Sequence, residues 1–156
     1  RMGVFGNGWE SCARWDKIRP FHQGVLDTRC VPLLYSSARV VLNAHFKSHR
    51  NWGVVTSRVF EALSCGAVLV SDPVEEGIKL FGDMAFFAKE TEGIIPALEQ
   101  ALGINESERR LIRENAADCI LKHHSAKVRA AELLKHLYSA SPSTFGRIID
   151  RMEDSK

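Results

Sequence analysis

Residues 56–72, TSRVFEALSCGAVLVSD, contain the clearest structural pattern in this chain. Thr56 or Ser57 can cap the start of a helix, and apolar residues then recur at helical spacing. Gly66 stands where the left-handed residue that ends a helix belongs, and the unbroken apolar run AVLVS (67–71) follows it. Such a run is typical of a strand buried on both faces of a parallel sheet. The segment therefore predicts a helix followed directly by a buried strand.

The predicted helix, residues 57–65, has an apolar arc and a polar arc. The apolar arc holds Val59, Phe60, Ala62 and Leu63, and the polar arc holds Ser57, Arg58, Glu61, Ser64 and Cys65. We expect the apolar arc to pack on the sheet and Glu61, near the centre of the polar arc, to face a polar region. The simpler alternative is a solvated glutamate that pairs with Arg58, three residues earlier.

Further apolar runs predict the rest of a parallel sheet, with 67–71 away from its edges. They are residues 2–6, 39–43 and 84–88, with short helices predicted over 31–38 and 75–82 and a polar loop after 39–43. From residue 90 onward the pattern is helical, with Asn105 or Ser107 capping one helix and Ser125 the next. Strands that alternate with helices imply an α/β fold, a Rossmann-like parallel sheet with helices on both faces and a helical C-terminal tail.

Composition excludes several classes of protein. A length of 156 residues fits one domain, and a net charge of +2 without any Lys or Arg run argues against a nucleic-acid partner. The four cysteines lie far apart without metal-ligand spacing, which favours reduced thiols and a cytoplasmic location. No apolar run approaches the roughly 18 residues that a transmembrane segment needs.

The start of helix 57–65 is the predicted binding site, because ligands of open parallel sheets bind beyond the carboxyl ends of the strands. Its first amides are unpaired and carry the positive end of the helix dipole, which suits a phosphate. Glu61 lies about one turn further along, where its carboxylate can accept two hydrogen bonds from a vicinal diol such as a ribose. The helix start and Glu61 together favour a nucleoside diphosphate as the ligand.

Two other motifs give weaker signals. The sequence GNG (6–8) lacks the full GxGxxG of dinucleotide sites, so we expect a turn at the end of a strand. His45 and His49 have the spacing of metal ligands on a helix, but they lie in the polar loop without a third ligand. We therefore expect no metal site and no cofactor.

The segment YSSARVVLN, followed by NWGVVTSRVFEALSCGAVLVSD and LFGD, resembles the C-terminal, donor-binding half of a GT-B fold glycosyltransferase. Within that fold it is similar to the family-1-like group that includes the spore-maturation (CgeB-like) enzymes. The positions that match are Tyr35, Ala38, Leu42, Asn43, Gly53, Arg58, Phe60, Glu61, Ala62, Gly66, Leu69, Asp72, Leu80 and Phe81.

The resemblance implies a nucleotide-sugar donor site in which Glu61 contacts the ribose. The donor-binding residues carried over or placed beside the site are Asn43, Lys47, Gly53, Thr56, Ser57, Arg58 and Glu61. Related retaining families use a second glutamate that contacts the sugar. Its position falls on Gly53 in this chain, so the identity of the sugar is not indicated. Their diphosphate is held by Arg and Lys from a first strand–helix unit, whereas MGVFGNGW resembles the second. Arg58, Lys47 and Arg50 are the candidates to replace those cations.

The resemblance also implies a retaining, hexosyltransferase-like enzyme with a nucleoside-diphosphate sugar as its substrate. Residues 1–140 would form the nucleotide-sugar-binding domain and residues 141–156 a C-terminal extension that can form a helix. Because the chain begins at Arg1 and enters an apolar run at once, we expect a piece of a longer enzyme. The missing N-terminal domain of the same chain would bind the acceptor, so the piece alone should be inactive.

Two other classes stay open. A non-catalytic α/β interaction domain would keep the fold without the activity, and the glycine at position 53 favours it. A receiver-type regulatory domain is disfavoured because no paired acidic residues follow the first predicted strand.

Overall fold

A parallel sheet forms the centre of the molecule, in a computed structural model that describes residues 2–88, 90 and 93–140. Its strands lie in the order β1 (Val41–Asn43), β2 (Leu69–Ser71) and β3 (Phe86–Phe87). Both pairings are parallel, with Val41 opposite Leu69 and Val70 opposite Phe86. Every residue of the central strand β2 is buried. The predicted parallel sheet and the interior place of 67–71 are therefore confirmed.

Helices surround this sheet and alternate with its strands. They are α1 (Trp15–Ile18), α2 (Val31–Ser37), α3 (Lys47–Asn51), α4 (Ser57–Ser64), α5 (Glu75–Phe81), α6 (Ile94–Gly103), α7 (Glu106–Cys119) and α8 (Ala126–Ala140). Short 3₁₀ turns precede α1, follow it and precede α2, and a π-helical turn, Ile120–His124, joins α7 to α8. None of the described helices is both long and apolar enough to cross a membrane.

The two faces of β2 are covered by different helices, because successive strand residues point to opposite faces. Leu69 belongs to a buried cluster with residues of α4, α5 and α7: Val59, Ala62, Leu63, Phe81 and Ala116. Val68 and Val70 belong to a second cluster with Ala97 and Ala101 of α6. Helices on both faces, and a helical tail packed against the sheet, are thus confirmed.

The N-terminal segment departs from the prediction. Residues 2–6 do not join the three-stranded sheet; Val4 instead forms an isolated parallel bridge with His22. Its carbonyl accepts from the amide of Gln23 at 2.8 Å, and its amide donates to the carbonyl of Phe21 at 2.9 Å. The prediction was wrong because an apolar run indicates a strand but does not specify which strand it pairs with.

The end of α4 follows the prediction closely. Gly66 has a φ of 66°, in the left-handed region that glycine adopts without steric cost. The amide of Gly66 donates to the carbonyl of Leu63 at 2.9 Å, and that of Ala67 to the carbonyl of Ala62 at 3.0 Å. These two bonds satisfy carbonyls that the helix end would otherwise leave unpaired.

Two arginines of α7 fasten the helical tail to the rest of the fold. Arg113 donates to the carbonyl of Gly66 at 2.5 Å and to that of Ser36 at 2.6 Å. Arg109, which is buried, donates to the carbonyl of Arg39 at 2.6 Å. Because hydrogen bonds from charged donors are among the stronger ones, these contacts fix α7 across the ends of α2 and α4.

The helix starts in the tail are capped largely as predicted. The side chain of Asn105 accepts from the amide of Glu108 at 2.9 Å, and the side chain of Glu108 accepts from the amide of Asn105 at 3.1 Å. This is a capping box, so Asn105 and not Ser107 is the cap. Ser125 accepts from the amide of Val128 at 3.4 Å at the start of α8. The predicted C-terminal extension, 141–156, lies outside the described residues.

Candidate functional site

The carboxyl edge of the sheet carries a buried polar cluster. It consists of Asn43 and His45, at and after the end of β1, with Ser71 and Asp72, at and after the end of β2. All four are at least 96% shielded from solvent, and Arg109 is the only other buried polar residue in the described part of the chain. Buried polar groups need hydrogen-bond partners, and the parallel strands bring these residues together to supply them.

Asp72 is the acceptor at the centre of the cluster. Its carboxylate accepts from the backbone amide of His45 at 3.0 Å, from Nδ1 of the same histidine at 2.6 Å and from Arg50 Nη1 at 2.9 Å. Burial raises the pKa of this carboxyl, but the hydrogen bonds from His45 and Arg50 outweigh burial and lower the pKa below its usual value. Asp72 is therefore a stable anion beneath the edge of the sheet.

His45 links that anion to the start of α4. A carboxylate only accepts, so Nδ1 of His45 carries the proton that it donates to Asp72. The opposite ring nitrogen, Nε2, then accepts from the backbone amide of Thr56 at 3.4 Å. The sequence predicts a polar loop around His45, whereas its side chain is wholly buried and joins two elements of the fold.

Thr56 is the N-cap residue of α4, but its side chain does not cap the amides of that helix. Its Oγ1 donates instead to Oδ1 of Asn43 at 3.4 Å, and Nδ2 of Asn43 donates to Ser71 Oγ at 3.1 Å. The start of α4 is therefore held to the ends of β1 and β2 through both the backbone and the side chain of Thr56. Capping by the Thr56 hydroxyl was the incorrect part of the prediction.

The two arcs of α4 are arranged as the pattern predicted. Val59, Ala62 and Leu63 are buried, Phe60 is partly buried, and Ser57, Arg58, Glu61 and Ser64 are exposed. Glu61 is exposed, as the simpler alternative expects, but it forms no ion pair with Arg58 among the described residues. Both side chains lie near Tyr35 of α2. Burial raises the pKa of that phenol, Arg58 opposes the rise and Glu61 adds to it.

The remaining predicted residues lie in the connection between β1 and α4. Gly53 has a φ of 65°, and a Cβ added there would lie 3.6 Å from Cγ of Glu76, on α5. Lys47, at the start of α3, is exposed. Arg50 is committed to Asp72 and to the carbonyl of His45, at 3.0 Å. Of the three candidate cations, Lys47 and Arg58 are the ones that face solvent.

Sequence reasoning missed His45, Ser71 and Asp72 as parts of one cluster. The available signal was that polar residues follow two apolar strands, since the carboxyl ends of parallel strands meet at one edge. The helix α3 was also missed, inside the segment predicted as a polar loop. Across the part of the chain that the structure describes, no three His, Cys, Asp or Glu side chains come together in a group that could hold a metal ion.

Comparison with known protein families matches residues 1–135 to a family described as glycosyl transferase-like, and the chain belongs to that family. The matched region includes the whole sheet, the buried cluster and the start of α4. Membership assigns the chain to glycosyl transfer in general. A comparison with curated proteins gives no significant match.

Proposed function

We propose that this chain is the C-terminal, nucleotide-sugar-binding half of a glycosyltransferase with the GT-B fold, close to the spore-maturation group. The observation that carries the proposal is the start of α4, which lies at the carboxyl edge of a parallel sheet. Family membership supplies the reaction class, and the position of this helix start supports a phosphate site there, where the donor would bind.

The diphosphate would bind the amides of Ser57 and Arg58. In the described part of the chain neither amide donates to a protein acceptor, whereas those of Thr56 and Val59 do. The Arg58 guanidinium is exposed one position into the helix and would add a positive charge. Lys47 is a second exposed cation on the connection that leads to α4.

The ribose would bind Glu61. Its carboxylate is exposed on the same polar arc, about one turn beyond the cap, and forms no ion pair in the described chain that a ligand would have to break. A carboxylate that accepts hydrogen bonds from both hydroxyls of a ribose distinguishes a nucleotide from a simple phosphate. The amides of Ser57 and Arg58, the Arg58 guanidinium and the Glu61 carboxylate therefore all lie on α4.

Transfer of the sugar would need an acceptor-binding domain facing the carboxyl edge of the sheet, so this chain alone should bind donor without turnover. We place the enzyme among retaining glycosyltransferases by resemblance. A second candidate function, a non-catalytic interaction domain, is favoured by Gly53, since no side chain at that position can contact a sugar. Binding of nucleoside diphosphates separates the two candidates.

Titration of the chain with UDP, GDP and ADP tests the proposal directly. We expect at least one of them to bind, and to bind equally with and without EDTA, because helix amides and basic side chains neutralise the phosphates. The matching nucleoside should bind more weakly. Failure of all three nucleotides to bind would favour the interaction domain, and binding that disappears on chelation would contradict the metal-free site.

Arg58→Ala should weaken nucleoside diphosphate binding about fivefold, and nucleoside binding much less, because only the diphosphate carries the charge that the guanidinium meets. Calorimetric titration of both ligands gives the two ratios. Arg110→Ala is the matched control, since Arg110 is an exposed arginine of α7 that pairs with Glu114. Equal losses for nucleoside and nucleoside diphosphate would make Arg58 a structural residue.

A further inference from the structure

We propose that His45 is the positioning residue of the phosphate site, and that Asp72 sets the tautomer in which His45 works. The inference rests on the proposed function, because it concerns the amides of α4 that would receive the phosphates. His45 would touch no ligand itself. It would determine where the first turn of α4 lies and which of its amides remain free.

The first step is the anchoring of the imidazole. Asp72 accepts from both the backbone amide and Nδ1 of His45. The side chain of His45 is 0% exposed and that of Asp72 is 3% exposed. Arg50 holds the other oxygen of the same carboxylate at 2.9 Å. Asp72 thus holds His45 at its backbone amide and at one ring nitrogen, and Asp72 is itself held by Arg50, which fixes the orientation of the ring.

The second step is the hydrogen bond that the other ring nitrogen of His45, Nε2, accepts. Nδ1 keeps its proton and donates it in the hydrogen bond to Asp72, while Nε2 faces the amide of Thr56, a donor, and accepts from it at 3.4 Å. A neutral imidazole places a donor and an acceptor on opposite sides of one rigid ring. No other side chain does so, which explains why a histidine lies between the buried carboxylate of Asp72 and the amide of the half-buried Thr56.

The third step concerns the amides of the first turn. With Thr56 bound to His45, and with the amide of Val59 donating to the carbonyl of Thr56 at 3.1 Å, two adjacent amides remain for a ligand. They belong to Ser57 and Arg58. His45 therefore removes one donor from the site while fixing the direction of the next two, which preorganises the site for phosphate.

The test is a pair of substitutions at His45 that separate its two contacts. In His45→Gln the longer side chain can still offer an oxygen to the amide of Thr56. In His45→Asn the shorter side chain can donate to Asp72 but cannot reach Thr56. His45→Gln loses the 2.6 Å bond to the carboxylate of Asp72, and His45→Asn loses the 3.4 Å bond from Thr56, so we expect His45→Gln to lose more thermal stability. We expect His45→Asn to weaken nucleoside diphosphate binding about tenfold and His45→Gln less than about threefold, with nucleoside binding little changed in either.

Hydrogen exchange of the Thr56 amide gives a readout that does not depend on any ligand. We expect slow exchange in the unsubstituted chain and in His45→Gln, and faster exchange in His45→Asn, measured by NMR at one temperature where all are folded. If His45→Asn does not fold, fast exchange of Thr56 in the unsubstituted chain would overturn the inference.

The binding results distinguish this inference from the function on which it rests. If the unsubstituted chain binds nucleoside diphosphate, and both variants bind it as tightly, then His45 is only structural and the inference is overturned alone. If the unsubstituted chain binds none of the three nucleotides, the proposed function fails and the inference fails with it.

Discussion

Asp72→Ala should lower the free energy of unfolding by about 3–5 kcal/mol, the largest loss of stability that we expect from any polar substitution in this chain. The carboxylate accepts from the backbone and ring of His45 and from Arg50, and its side chain is 3% exposed. Its removal leaves two buried donors of His45 without an acceptor. Arg50 is 31% exposed and can turn to water, which moderates the loss.

Urea denaturation of Asp72→Ala and of the unsubstituted chain measures the difference in their free energies of unfolding, with Asp27→Ala as the matched control. Asp27 also binds an arginine, Arg29, at 2.6 Å, but both side chains are largely exposed, so its removal should change stability little. Similar small losses for both substitutions would show that the buried cluster does not stabilise the fold.

The pH dependence of stability gives an independent measure of the same carboxylate. The pKa of Asp72 is lowered in the folded protein from its ordinary value of 3.8. The folded state therefore binds the proton less readily than the unfolded state, and the contribution is fully present above that value. It is lost as the pH falls from about 4 toward the folded pKa. The stability of Asp72→Ala should fall less steeply over this acid range.

The local parts of the fold could be predicted because their causes lie close together in sequence. The spacing of Val59, Ala62 and Leu63 defines the buried side of α4, and Gly66 ends the helix through bonds to residues a few positions away. The burial of β2 follows from its unbroken apolar run. Each of these predictions needed only the periodicity of the helix or strand and one residue with a special backbone conformation.

The non-local parts could not be predicted in the same way. The pairing of residues 2–6 depends on which segment lies beside them, and their composition does not contain that information. The contact between His45 and Asp72 joins residues 27 positions apart, through the register of β1 with β2. Single polar residues in a segment such as AHFKSHRNW are typical of a loop, so neither the burial of His45 nor α3 is evident from the sequence.

The structure separates the polar residues of this edge into two layers with different expected roles. Asn43, His45, Ser71 and Asp72 are buried and satisfy one another, so their substitution should act mainly on stability and on the position of α4. Ser57, Arg58 and Glu61 are exposed on the polar arc above them. Their substitution should weaken the binding of a ligand and leave the fold intact.

Glu61→Ala should weaken binding of nucleoside diphosphate by about 10- to 100-fold, because it removes a charged acceptor for both hydroxyls of the ribose. Hydrogen bonds to a charged group contribute about 1.5–3 kcal/mol each, and the exposure of Glu61 places the total near one such bond. Glu61→Gln keeps the shape and one acceptor oxygen, so it should lose less. Binding of the corresponding 2′-deoxynucleotide should differ less among the three proteins, since only the 3′-hydroxyl remains to donate to residue 61.

The thermal stability of Glu61→Ala should match that of the unsubstituted chain, since Glu61 lies outside the buried arc of α4 and in no ion pair of the described chain. Glu99→Ala is the matched control for binding, because Glu99 is an exposed glutamate of α6, on the opposite face of the sheet. It should leave nucleotide affinity unchanged. If Glu61→Ala instead unfolds the domain, while its folded fraction binds nucleotide normally, Glu61 is a structural residue. The ribose would then have to bind elsewhere along the edge of the sheet.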